Sequence, residues 1–204
     1  MSSLAITSNI FVAALAGWLC VAGQTFAQSA PEAGGQSGAV PPAAETADPL
    51  ADLYALLADP GNDDWALAEA DVQREWSKSG SPAMDLLLRR GREAMATGDY
   101  PTAIEHLTAL TDHAPDFAEG WNARATAFYF AGNLGLSMHD IRRTLALNPH
   151  HYGALAGLGM IFEDLGLTDS ALRAYRASLA IHPHQDGVQQ SVERLTKATE
   201  GIAL

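Results

Sequence analysis

From residue 84 onward the apolar residues fall in short bursts, and small or helix-breaking residues punctuate them at one interval. Pro115, Pro149 and Pro183 are 34 residues apart, and so are Gly98, Gly132 and Gly166. Ala103, Ser137 and Ala171 keep the same period, as do Gly91, Ala125 and Gly159. Four sets of small or breaking residues sharing one interval predict stacked supersecondary units. In each unit one helix runs to the glycine, which takes the positive φ that ends a helix. A second helix then ends before the proline. The predicted units are 84–117, 118–151 and 152–185. Leu87, Trp121 and Leu155 in the first helices, and Leu107, Ile141 and Tyr175 in the second, are the expected core. Gly91 and Gly159 fall inside helices, where glycine costs about 1 kcal/mol. Close approach of the paired helix through Ala103, Ser137 and Ala171 is the expected compensation. Ser81 before Pro82 reads as an N-cap, and Asp116 and Thr168 are further cap candidates.

An array of such units exposes an apolar face at each end and needs caps. Val188, Val192 and Leu195 share one stripe of a polar-backed helix, predicted over 186–199. At the other end, 49–80 reads as two helices broken at Pro60-Gly61. A shift of one period puts Leu57 and Trp76 at core-like places, so this segment is expected to cap the first unit as a degenerate half-repeat. The fold class is therefore all-α, an α-solenoid of three helix-turn-helix repeats with a helical cap at either end.

The units resemble the tetratricopeptide repeat family. The third carries Leu155, Leu158-Gly159, Phe162, Ala171, Tyr175 and Pro183 at the family's signature positions. The second has Trp121, Ala125, Phe128, Ile141 and Pro149, with Arg124 where leucine is usual. The first has Leu87, Gly91, Ala103, Leu107 and Pro115, with Arg90 and Ala94 at places where larger apolar residues are common. The whole layout is also similar to small exported bacterial proteins of this type. The resemblance implies a binding scaffold whose first helices line a concave groove. The first unit would present Asp85, Leu88, Arg89 and Arg92. Glu119, Asn122, Thr126 and Tyr129 would follow from the second, and Gly153, Ala156, Gly157, Met160 and Glu163 from the third. Of these, Arg89, Arg92, Asn122, Thr126, Tyr129, Met160 and Glu163 are the expected partner-binding residues; packing within the array is the other reading of Tyr129 and Met160. Some members grip a peptide's terminal carboxylate with Lys, Asn and Arg. Leu88, Ala123, Gly153 and Gly157 stand at matching places here, so that clamp is largely missing.

Charge narrows the class of partner. The chain of 204 residues has 24 acidic and 12 basic side chains, a net charge of −12. Such a surface repels phosphate backbones and anionic lipid heads, so a protein or peptide partner is expected and nucleic acid is not. Nine carboxylates and one base lie between Glu45 and Glu75, whereas Met84–Pro183 holds eleven acids and eight bases. The acidic excess therefore belongs to the segment before the repeats, where it serves solubility.

The first 27 residues carry no charged side chain, and Ile10 to Ala22 is an apolar run too short to span a bilayer comfortably. Thr25-Phe26-Ala27 supplies the small residues of a cleavage site, so residues 1–27 read as an export signal cut after Ala27. The destination would be the periplasm or the exterior. No Lys or Arg precedes the run, which keeps an uncleaved membrane anchor as the alternative. Residues 28–48, rich in Ala, Gly, Pro, Gln and Ser, read as a flexible linker. Cleavage would also remove Cys20, the single cysteine, and with it any disulfide chemistry.

Motifs for catalysis are missing: no nucleophile elbow, phosphate-cradling glycine loop, paired cysteines or His-Glu-x-x-His helix occurs. Glu163 and Asp164 adjoin, but acid–base work needs a cleft and shifted titration. The expectation is a protein that is not an enzyme and needs no cofactor. Histidines cluster in the turns after second helices: His113, His150, His151, His182 and His184. His150, His151, His182 and His184 are the candidates for a zinc or copper site, and a metal-binding or metal-delivery protein is one alternative function. Polar turn residues beside the proline are the simpler reading, and His106 and His139 read as helix-surface residues. A self-assembling solenoid, stacked end to end, is the other alternative.

Overall fold

The computed structural model describes residues 50–200. The export signal and the linker expected before them lie outside these residues. The described residues form α1 (Ala51–Ala58), α2 (Trp65–Trp76), α3 (Pro82–Ala96), α4 (Tyr100–His113), α5 (Ala118–Phe130), α6 (Leu134–Leu147), α7 (Tyr152–Asp164), α8 (Thr168–Ile181) and α9 (Asp186–Glu200). Among them no helix is long and apolar enough to cross a membrane.

Three antiparallel pairs, α3–α4, α5–α6 and α7–α8, stack in chain order. Each pair turns on a glycine with positive φ: Gly98 at 76°, Gly132 at 77° and Gly166 at 70°. A side chain at that φ strains the backbone, which is why the period repeats glycine there. The caps differ from expectation. Phe117 and Leu167 hold the N-cap positions of α5 and α8, beside the expected Asp116 and Thr168. The side chains that receive first-turn N–H groups are Asp99, from Thr102, and His151, from Ala154.

The mid-helix glycines make room for a side chain one turn beyond the expected one. A Cβ on Gly91 would lie 2.5 Å from Leu107, and one on Gly159 would lie 2.5 Å from the Tyr175 ring. Leu107 and Tyr175 are almost fully buried. Ser137 does meet the position equivalent to these glycines, donating its hydroxyl to the Ala125 carbonyl at 2.8 Å. Leu87, Trp121 and Leu155 are half-buried, while Leu88, assigned to the groove from sequence, lies in the core with Leu107 and Leu110.

Arg124, the departure from the usual leucine, is paired. Its Nε and Nη2 donate to the two oxygens of Asp140 at 2.7 and 3.0 Å, and Nη1 donates to Thr111 at 2.8 Å. Its guanidinium also lies 4.8 Å from the Trp121 ring centre, as a cation over an aromatic face. Asp140 is 1% exposed, so the charge is compensated inside the core.

The helices that flank the repeats on either side pack on the third one. α9 lays Val188, Val192 and Leu195 on Ala171, Leu172 and Tyr175 of α8. The hairpin α1–α2 departs from the expected cap on the first repeat: its packing partners belong to the third. Leu57 and Val72 bury with Tyr152, and Leu53, Tyr54, Trp76 and Ile181 pack around them. Aromatic rings hold the rest. Trp76 stacks on His151 with ring centres 4.3 Å apart, Trp65 on His184 at 5.0 Å, and Tyr54 tilts against His150 at 4.7 Å.

Candidate functional site

The inner faces of α3, α5 and α7 line a groove with two unlike halves. The polar half is built on Glu119, in the first turn of α5, where the helix N-terminus favours a carboxylate. Glu119 is buried and accepts Arg92 Nη2 from α3 at 2.5 Å and His151 Nε2 from the start of α7 at 2.9 Å. Burial works to raise its pKa, but the hydrogen bond from His151 and the charge and hydrogen bond of Arg92 outweigh that, holding it below the ordinary 4.5. His151 Nδ1 receives the Ala154 N–H at 3.1 Å, so Nδ1 carries no proton and Nε2 is the donor to Glu119. Arg92 also donates to the Ser77 hydroxyl at 3.2 Å, just beyond α2. These groups border a cavity of about 380 Å³, closed on one side by Gln73, Trp76 and Ser77.

The apolar half, a cavity of about 230 Å³, lies between α5 and α7 and is walled by Tyr129, Phe130, Ile141, Ala156 and Met160. Gly157 widens it: a Cβ there would make only ordinary contact with Ile141, at 3.7 Å. Tyr129 donates its hydroxyl to Asp164 at 2.8 Å. That bond, together with burial, raises the pKa of the phenol and leaves its ring as the wall.

The residues singled out from sequence divide between these surfaces. Asn122 lines both cavities, Thr126, Tyr129 and Met160 the apolar one, and Arg92 the polar one. Met160 is 41% exposed and Tyr129 half-buried. Arg89 lies on a shallower depression beside Asp85 and Arg92, 3.7 Å from Glu93. Glu163 faces away from both cavities, accepting Arg194 of α9 at 2.7 Å and the Tyr175 hydroxyl at 3.2 Å. Burial, together with the charge of Glu163 and the bond to it, pushes the Tyr175 phenol up to about 12, against the opposing charge of Arg194. Gln73, Trp76 and Ser77 were not expected at the groove. Trp76 at a core-like register was the only sign of them, and it pointed to the first repeat.

The four turn histidines meet rings instead of one another's nitrogens. Besides the contacts of His150, His151 and His184, the His182 ring sits edge-on to Tyr152 at 4.8 Å and 5.7 Å from Trp65. His182 is buried, its Nε2 is 3.6 Å from Glu69, and its Nδ1 has no hydrogen-bond partner. Burial lowers its pKa, opposed by Glu69 and reinforced by His184. Among the described residues, no three of His, Cys, Asp and Glu gather closely enough to hold a metal ion.

Comparison with known proteins agrees with this architecture. The tetratricopeptide repeat model matches residues 88–138 and 122–186. A TPR repeat-containing protein of Rhizobium etli is 34% identical over 131 residues. The match covers 64% of this chain and 64% of that relative, so the chain spans less than two thirds of it. Among solved structures, the Sgt2 TPR domain from Aspergillus fumigatus superposes with a TM-score of 0.57 at 23% identity, over 60% of this chain and 83% of that one. The first TPR of Spaghetti (RPAP3), bound to the HSP90 peptide SRMEEVD, gives 0.56 at 21% identity, over 59% and 95%. At such identities these likenesses speak for the fold. With its 34-residue period, its glycine turns and the matched family model, the chain belongs to the tetratricopeptide repeat family.

Proposed function

We infer that this protein is a non-enzymatic scaffold that holds a segment of a protein partner in the groove formed by α3, α5 and α7, and that it works in the cell envelope after export. The apolar cavity between α5 and α7 carries the reading. Tyr129, Phe130, Ile141 and Met160 line a concavity that a protruding apolar side chain would fill, with Asn122 and Thr126 at its border for backbone hydrogen bonds. The RPAP3 domain named above is bound to a peptide and shares the fold, which supports a peptide-like occupant. The envelope location rests on the uncharged apolar N-terminus and the small residues before Gln28. The mechanism is docking, with no bond made or broken.

The test is a pull-down from envelope extract with the wild type and a Tyr129→Ala/Met160→Ala variant, both checked for folding by circular dichroism. A partner retained by the wild type and lost by the folded variant is expected. The same partner retained equally by both would move binding away from the groove.

A further inference from the structure

We propose that the α1–α2 hairpin is a strap across the polar half of the groove, which a partner segment can occupy only after the strap has swung away. This rests on the groove being the binding site.

The strap is tied to the third repeat, far from it in sequence. Gln73 donates to the Tyr152 hydroxyl, 79 residues on, and His184 donates to the Asp59 carbonyl across 125 residues, at 3.0 Å. Its covalent connection is short by comparison. Residues 77–81 join α2 to α3, and Gly80 in this link has φ of 81°, a conformation open to few other residues. Ser79 in the same link bonds to Asp85 of α3 through its N–H, at 2.9 Å, so the chain turns at a fixed point beyond which the hairpin is held by its long-range contacts.

The strap also covers the binding groups. Trp76 lies over His151, the same ring that donates to Glu119. Gln73, Trp76 and Ser77 form one wall of the cavity whose other walls are Arg92, Glu119, Asn122 and Tyr152. A peptide running along α3, α5 and α7 would meet the strap there and nowhere in the apolar half, which has no hairpin residue in its lining.

The attachment is suited to release. Only Leu57, Ala68 and Val72 of the hairpin are buried, and the half-buried Leu53, stacked rings and hydrogen bonds supply much of the remaining contact. Docking leaves His182 Nδ1 buried without a partner, a group that regains water when the strap lifts. With 8 and 12 residues, α1 and α2 are too short to stay helical alone, so the released strap loses its order and gains chain entropy.

The test needs no partner. In the full chain carrying Cys20→Ser, a reporter thiol at Asn122→Cys is labelled with a maleimide, with Met160→Cys as the reference in the apolar half. Adding Trp65→Ala/Trp76→Ala frees the strap. Labelling at 122 is then expected to rise about tenfold, while that at 160 stays within about twofold. The milder His184→Ala, which removes one stack and one hydrogen bond, gives a smaller rise and decides the matter if circular dichroism shows that the double variant has lost the repeats. Unchanged labelling at 122 in the folded variants overturns the strap. A rise at 122 stands even if no partner uses the groove, so failure of the binding reading and failure of the strap give different results.

Discussion

The first and third repeats join their two helices through a missing side chain, whereas the second joins them through polar groups. In the outer repeats Gly91 and Gly159 admit Leu107 and Tyr175. The middle repeat has Ala125 at that place, where the Ser137 hydroxyl bonds to the Ala125 carbonyl. There Arg124 of α5 reaches Asp140 of α6, and also Thr111 of the preceding repeat. One period thus accommodates two ways of joining helices. It fixes where two backbones approach each other and leaves open which chemistry fills the gap.

The largest test of this contrast falls on the middle repeat. Asp140→Ala leaves the Arg124 guanidinium, whose side chain is 12% exposed, without its partner and is expected to cost about 3–5 kcal/mol in urea unfolding. Arg124→Leu/Asp140→Leu removes both charges and should recover most of that loss; if it does not, the pair serves more than packing. In the third repeat, Gly159→Ala sets a methyl against the Tyr175 ring and is expected to cost about 1–3 kcal/mol by the same measurement. A neutral result would mean the ring can slide aside, and the contrast between the repeats would weaken. Smallest is Ser137→Ala, which removes one buried hydrogen bond and is expected to lower stability by about 1 kcal/mol.

What could be read from the sequence follows from this division. Backbone events recur at fixed intervals, so Gly98, Gly132 and Gly166 announce the turns and Pro115, Pro149 and Pro183 the helix ends. Side-chain partnerships do not recur. Arg124 was visible as a departure, but Asp140 became its partner only when two helices were packed together. The side chains opposite Gly91 and Gly159 lie one helical turn beyond Ala103 and Ala171, and the period marks both positions equally well. Glu163 sits at a groove-like register, yet α9 claims it through Arg194. The hairpin was hardest to place. Its register fits a cap on the first repeat, but Trp65 stacks on His184, beyond α8, and Trp76 on His151, at the start of α7. Contacts across a hundred residues leave no periodic trace.

A stack of repeats touches only its neighbours, and its bend is the sum of small, independent rotations. The line of contacts from Arg92 through Glu119 to His151 keeps to that rule, yet one carboxylate takes part in both links, to α3 on one side and to the start of α7 on the other. Glu119 is therefore a shared rivet: loosening either joint leaves the other with a carboxylate that has lost half of its partners.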